Sequence, residues 1–287
     1  MVNANNASTK CRKRLKRLAG WGLTLLVIFM LLRWFEQSQV YQPEKGLFLE
    51  ARSLGLPYEE VYFESDHHRL HGWFFPGSSS LSNKQVMLLC HGNGGNVSHS
   101  LHLTQLLLQN HFSVLVFDYR GYGLSEGKPS ELGTYKDGQA ALDWLVAKGF
   151  PKSQIIVFGD SLGGAIASNI ALNNPVGGLI LKSTFTSTPD LGTELFPWLP
   201  VRWLARIKYD TRKRLPEIKA PVLILHSKSD TLIGYHHAEQ NFKAANEPKM
   251  FREIGGDHNS ALEHEPSRIA DAIQEFMKLV NKSKYAQ

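Results

Sequence analysis

The sequence predicts an α/β fold built on a mainly parallel sheet, preceded by one apolar helix long enough to anchor the chain in a membrane. Three observations carry this prediction. Short, nearly continuous apolar runs recur along the chain, as expected of strands covered on both faces. Helical stretches alternate with these runs. An uncharged apolar segment follows a strongly basic N-terminus.

The N-terminus comes first. Residues 1–17 hold Lys10, Arg12, Lys13, Arg14, Lys16 and Arg17 and no acid, which accounts for the whole formal net charge of +6. Residues 18–287 are therefore formally neutral. A nucleic-acid-binding domain would spread its cations over a folded face, so that class is excluded. Residues 18–32, LAGWGLTLLVIFMLL, carry no charge, and Arg33, Trp34 and Phe35 follow. Arg17 and Arg33 can snorkel and Trp34 suits an interface, so residues 18–35 read as a transmembrane signal anchor. A cleavable signal peptide would want small residues after the apolar core, and RWFEQSQVYQP offers bulky or polar ones. The positive-inside rule makes residues 1–17 a cytoplasmic tail and sends the C-terminal domain across, into a periplasm or a lumenal or extracellular space. Residues 36–57, punctuated by Pro43, Gly46 and Pro57, read as a linker. Cys11 and Cys90 then fall on opposite sides of the membrane, so no disulfide is expected.

Residues 58–282 form the folded domain, and with 43% hydrophobic residues the chain can bury a sizeable core. EVYFES (60–65) and LHGWFF (70–75) read as a hairpin about the turn DHHR. VMLLC (86–90), SVLVFD (113–118), IIVFG (155–159), GLILK (178–182), VLILH (222–226) and KMFREI (249–254) read as further strands. Helices are expected at 97–110, 134–148, 162–173, 235–246 and 266–281. Ser130 or Thr134 could open the second, and Pro266 suits the start of the last. SSSLSNK (78–84) reads as a loop. Residues 184–215 are too long for a plain connection and predict a small helical cap. Its aromatic residues could line an acyl pocket, or Trp198, Trp203 and Leu204 could simply pack the cap on the body.

The chemistry centres on Gly159-Asp160-Ser161-Leu162-Gly163-Gly164, which joins the strand IIVF to the helix AIASNIAL. A G-x-S-x-G match placed between a strand and a helix is a nucleophile elbow. The turn projects the serine hydroxyl, and small flanking residues allow close strand–helix packing. A serine hydroxyl needs a base. Asp230, after VLILHSKS, and His258, in IGGDH, follow two strands in the order this elbow requires. Asp230 would orient His258, and His258 would take the proton from Ser161. Asp257 adjoins His258 but neighbouring side chains on a loop rarely face each other. Asp160 is expected to bond locally, and His226 to be a packed histidine. His67, His68, His236 and His237 come in pairs and read as solvated positions rather than metal ligands. No metal-ligand spacing is present, and neither a metal nor a cofactor is expected. The oxyanion hole is expected to use the backbone N–H of Leu162 and a second N–H, assigned to Asn93, in the Gly-rich loop His91–Asn96.

HGNGGN, FDYRGYGLSEG (117–127), GDSLGG, STFTS (183–187) and GGDHN (255–259) together resemble the single-pass, membrane-anchored branch of the α/β-hydrolases. That branch holds esterases, acylglycerol lipases, depalmitoylases and serine aminopeptidase-like proteins. The resemblance covers residues 58–282. It implies an eight-stranded sheet with the second strand antiparallel, and it assigns Ser161, Asp230 and His258 as the triad and Asn93 and Leu162 as oxyanion donors. It also implies that Asp118 and Arg120 brace a loop near the site. Ser227 departs from the glycine common at its position. The expected activity is hydrolysis of a carboxylic ester or thioester, with a small-molecule or acyl-lipid substrate. A peptidase of the same fold, using Asp190 and Glu194 to hold an amino terminus, and a non-catalytic membrane scaffold are the alternatives.

Overall fold

The structure, a computed structural model, describes residues 2–77 and 85–284, with side chains from residue 17 onward except those of residues 19 and 284. The side chains of the tail cations before residue 17 and of Cys11, and the 78–84 loop expectation, lie outside what is described. The chain divides into two compact units, ending and beginning at Tyr41 and Gln42.

The first unit is helix α1, Val2–Val40. Its segment Gly20–Val40, 21 residues, is long and apolar enough to cross a membrane. At 1.5 Å per residue it measures about 32 Å, matching a hydrocarbon core of about 30 Å. This segment overlaps the 18–35 expected for the anchor. Arg33 interrupts it without ending it, because its guanidinium pairs with Glu36 one turn on and lies over the Phe29 ring. Residues 36–40 of the expected linker are helical. Residues 42–57 belong to the second unit, so that linker is not an independent segment.

The main sheet of the second unit is built from β1 Glu59–Ser65, β2 His68–Phe75, β3 Val86–Cys90, β4 Ser113–Phe117, β5 Ile155–Asp160, β6 Gly178–Lys182, β7 Val222–Ser227 and β8 Lys249–Ile254. They form one sheet in the order β8-β7-β6-β5-β3-β4-β2-β1, and β2 alone runs antiparallel to its neighbours. The β1–β2 turn is tighter than expected. Only Asp66 and His67 lie outside the strands, both at positive φ (51° and 66°), as a two-residue hairpin whose twist matches its strands requires.

Helices α2 Leu101–Gln109, α3 Glu131–Ala147, α4 Leu162–Asn173, α8 Tyr235–Ala244 and α10 Pro266–Lys284 cover the sheet, with the short α9, Ala261–His264, just before α10. Ser130 rather than Thr134 caps α3, its hydroxyl accepting the Gly133 N–H at 3.1 Å. Pro266 is the first residue of α10. One pleat face of the central strands (Met87, Leu89, Val114, Val116, Ile156, Phe158) packs into a core with Leu103 and Leu107 of α2 and Ile273 and Phe276 of α10. The residues between them, such as Leu88, Leu115 and Val157, point to the opposite face and are also fully buried. Burial on both faces is the physical reason these strands read as continuous apolar runs.

The insertion between β6 and β7 folds as three short helices, α5 Thr188–Leu195, α6 Val201–Leu204 and α7 Thr211–Arg214. Trp198 and Trp203 do not pack it on the body: they are 74% and 92% exposed.

Arg120 also departs from expectation. It leaves Asp118 to brace the loop near the site and turns to α3. Its Nη2 lies 2.8 Å from Asp137 Oδ1, and its backbone N–H donates to Asp137 Oδ2 at 2.9 Å. Both side chains are buried. Removing one member of such a pair strands the other charge, so Asp137→Ala should cost roughly 3–5 kcal/mol. A drop of that size in the unfolding free energy, read as a lower urea midpoint at unchanged slope, is the expected outcome.

Candidate active site

β5 ends at Asp160 and α4 begins at Leu162, so Ser161 occupies a one-residue corner. Its φ is 53° and ψ −118°, a strained conformation for a side-chain-bearing residue. The neighbouring glycines make the corner possible. A Cβ on Gly163 would lie 2.0 Å from the Cys90 carbonyl oxygen, and one on Gly159 would lie 2.4 Å from Gly164 Cα. The Ser161 N–H donates to the Lys182 carbonyl of β6 at 2.9 Å.

The two other residues expected beside Ser161 reach it from the ends of β7 and β8. His258 Nε2 lies 3.1 Å from Ser161 Oγ, and His258 Nδ1 lies 2.8 Å from Asp230 Oδ2. The second Asp230 oxygen accepts the N–H groups of Leu232 and Ile233 at 3.0 and 2.8 Å. Burial opposes the Asp230 charge, but the His258 bond and the Ile233 N–H outweigh it and hold the carboxyl below its ordinary range. The carboxylate therefore stays ionised, with both oxygens occupied.

The other acids and histidines fall outside this relay. Asp257 Oδ1 accepts from the His258 backbone N–H at 2.7 Å and from the Thr231 N–H at 3.1 Å, so it ties the Asp230 loop to the His258 loop. Ser227 does the same, its hydroxyl donating to the Gly256 carbonyl; a glycine there would lose this tie. His226 is buried, pushed toward the neutral form by that burial, and its Nε2–H donates to the Ile233 carbonyl at 2.8 Å. Asp160 pairs with the buried Lys182 at 2.9 Å.

His237 is the exception to the solvated reading of the paired histidines: it is 1% exposed. With His236 and Glu194 it forms a compact cluster. Its Nδ1 accepts the Thr186 backbone N–H at 3.1 Å, which places its proton on Nε2, 3.3 Å from Glu194 Oε2. His236 Nε2 lies 2.9 Å from the other Glu194 oxygen. The carboxylate is thus hydrogen-bonded to His236 and faces the buried His237 Nε2, which makes no hydrogen bond of its own among the described residues. A metal at this point would need the His237 nitrogen that carries the proton.

The loop His91–Asn96 lies against the elbow: a Cβ on Gly92 would sit 3.6 Å from Ser161 Cβ. Its shape is fixed from two sides. Behind it, the Tyr119 hydroxyl donates to the His91 carbonyl at 2.8 Å and the Tyr122 hydroxyl to the Asn93 carbonyl at 2.9 Å. Beside it runs a strap, residues 42–46, pairing in parallel with Gly94–Gly95. The Gln42 N–H donates to the Asn93 carbonyl and the Glu44 N–H to the Gly95 carbonyl, both at 3.0 Å. Asn96 Nδ2 returns bonds to the Glu44 and Gly46 carbonyls at 3.3 and 2.7 Å. Asp118 Oδ1 accepts the Val97 N–H at 2.8 Å just beyond the loop. Sequence reasoning placed the loop and Asp118 but missed the strap and the tyrosines. The repeated Tyr-x-x-Tyr in DYRGYG was the available signal for the latter.

With this geometry in view, comparison with known proteins is informative. The family model described as serine aminopeptidase, S33 matches residues 82–210. An uncharacterized protein of Mycobacterium tuberculosis, Rv2307c, is 37% identical over 248 residues, covering 85% of this chain and 88% of its own. The α/β hydrolase domain-containing protein WAV2 of Arabidopsis thaliana is 33% identical, covering 79% and 80%. Among solved structures, the Pyrococcus furiosus esterase Pf2001 superposes with a TM-score of 0.69 at 19% identity, covering 83% of this chain and 97% of its own. Sheet order, elbow and sequence relatives agree: the chain is a hydrolase belonging to the α/β-hydrolase family.

Proposed function

We propose that the chain is a membrane-anchored serine hydrolase that cleaves carboxylic ester or thioester bonds through an acyl-enzyme. The observation that carries this reading is the unbroken relay from Ser161 Oγ through His258 to Asp230, at 3.1 and 2.8 Å. In this mechanism His258 Nε2 takes the hydroxyl proton as Ser161 Oγ attacks the acyl carbon. Asp230 holds the other imidazole proton on Nδ1 and stabilises the imidazolium. The N–H groups of Leu162 and Asn93 receive the oxyanion, and the N-terminus of α4 adds its dipole. Collapse of the tetrahedral intermediate breaks the bond to the alcohol or thiol, which leaves with the proton from His258. Water then attacks the acyl-enzyme by the same route and releases the acid. Nothing in these steps calls for a cofactor or metal.

A serine peptidase of the same fold is the second reading, favoured by the matched family model. It needs an acid free to hold an amino terminus. Asp190 is engaged by Arg202 at 3.0 Å and Arg212 at 3.4 Å, and Glu194 by His236, which weighs against it. A non-catalytic scaffold has no need of an intact relay. For the N-terminal part, the proposal keeps a cytoplasmic tail, a single crossing by α1 and a hydrolase domain on the far side. Asn96 opens an Asn-Val-Ser glycosylation sequon but is 1% exposed and bonded to the strap, which argues for a compartment without glycosylation, such as a periplasm.

A fluorophosphonate probe should label the protein, and Ser161→Ala should abolish labelling. Asp230→Asn should lower turnover of a short-chain p-nitrophenyl ester by about 10⁴. Retained labelling in the first variant, or near-full turnover in the second, would reject the triad. Turnover of aminoacyl amides in preference to esters would favour the peptidase.

Asn96→Asp keeps the cap on Ser98 but turns two donors into a carboxylate facing the strap carbonyls. We expect kcat to fall with KM little changed, by less than the roughly 10²–10³ of losing an oxyanion donor outright. An unchanged kcat would mean that the strap does not position Asn93. For topology, a reporter active only outside the cytoplasm, fused after residue 287, should be active.

A further inference from the structure

The cap exposes what a folded domain normally hides. Trp203 is 92% exposed, Trp198 74% and Leu195 45%. Two tryptophans five residues apart in the chain (198 and 203) are thus both held out of the core. They stand on a built shape. A Cβ on Gly192 of α5 would meet Val201 of α6 at 2.9 Å, so the two helices pack closely there. Phe196 braces Trp198 edge-to-face with ring centroids 6.3 Å apart. Prolines 197 and 200 stiffen the turn between the helices.

Charge identifies the partner. Residues 188–214 contain the six cations Arg202, Arg206, Lys208, Arg212, Lys213 and Arg214 against the three acids Asp190, Glu194 and Asp210, a net charge of +3 (6 − 3), with Arg202 and Arg212 sharing Asp190. Arg202, Arg206, Lys208, Arg212 and Lys213 are exposed. Exposed tryptophan flanked by cations matches the headgroup zone of an anionic bilayer, where the indole ring sits at the polar–apolar boundary and the cations meet phosphates. The insertion also leaves the sheet at the carboxyl end of β6, beside the β5 end that carries Ser161.

We propose that the α5–α6 tip is a membrane-docking surface that seats Trp198 and Trp203 in the headgroup region of an anionic leaflet, so that the site takes esters presented at that depth by lipids. This rests on the reading of the chain as a membrane-anchored ester hydrolase and adds to it a second, peripheral contact with the bilayer.

The test uses the full chain in phosphatidylcholine–phosphatidylglycerol vesicles whose acyl chains are brominated near the headgroup. In Trp21→Phe/Trp34→Phe protein, four tryptophans remain, two of them on the cap and the others, Trp73 and Trp144, within the domain. The bromolipid should quench up to half of the emission, and adding Trp198→Ser/Trp203→Ser should abolish the quenching. Retained fluorophosphonate labelling verifies that both proteins are folded. Quenching should fall at least twofold in pure phosphatidylcholine vesicles. Unquenched emission from the Trp21→Phe/Trp34→Phe protein overturns the docking surface; equal quenching without phosphatidylglycerol overturns its charge-based recognition. Extra quenching in the wild type over this protein reads the insertion of α1 separately, so failure of the anchor and failure of the docking surface are distinct results.

Discussion

The organising constraint of this domain is the backbone of Ser161. A non-glycine residue at φ 53° and ψ −118° carries strain of about 1–3 kcal/mol and persists only where its surroundings over-determine it. Here they do. β5 delivers the residue from the middle of an eight-stranded sheet, with β6 on one side and β3 on the other. The Ser161 N–H is held by β6, and its carbonyl accepts the Gly164 N–H in the first turn of α4 at 3.0 Å. Gly163 lies against the Cys90 carbonyl at the end of β3, and Gly164 lies so close to Thr184 that a Cβ would approach its hydroxyl to 2.1 Å. The corner is therefore locked on three sides before any catalytic partner is considered. The buried core beneath supplies the rigidity that makes the strain sustainable.

The partners repeat the same logic at lower cost. Each rests on a loop that a second loop holds. Asp230 is fixed by two backbone N–H groups of its own turn, and that turn is bonded to the His258 loop through Asp257 and Ser227. The loop proposed to supply the second oxyanion donor is bonded to Tyr119, Tyr122 and the 42–46 strap. Preorganised dipoles matter most where charge develops, because they need no reorientation during the reaction. Asn93 illustrates this: two hydrogen bonds to its carbonyl fix the following peptide and restrict the rotation of its own.

What was legible in the sequence, and what was not, divides along the same line. The strands were legible because burial on both faces leaves an unbroken apolar signature, and the observed ends fall within two residues of those expected. The relay of Ser161, His258 and Asp230 was legible as three residue types in a fixed order at strand ends, and its geometry now supports that order. Contacts carried by backbone groups left no such trace. Gln42 and Glu44 bond through their N–H groups, so nothing in their side chains announces the strap, and Pro43 and Gly46 gave the segment the look of a linker. Arg120 was misplaced for a different reason. Asp118, two residues before it, does brace the loop, but the strand ends at Phe117, so Arg120 no longer follows the strand's alternation and met Asp137 on α3 instead. The cap tryptophans were misjudged because apolar character alone does not tell a buried ring from an exposed one.

The strap ties these points to the N-terminus. The segment apolar enough to span a membrane ends at Val40, and Gln42 already donates to Asn93. Only one residue in the chain, Tyr41, separates the two. Cutting at the boundary the sequence indicated, between residues 57 and 58, would free the domain from its helix and also remove every strap bond to the loop beside Ser161. The domain's natural boundary lies instead at Gln42, where the strap stays with the sheet. In this architecture the chain that leaves the proposed anchor is the same chain that shapes the proposed oxyanion hole, and a soluble form that preserves the site must begin no later than its first bonded N–H.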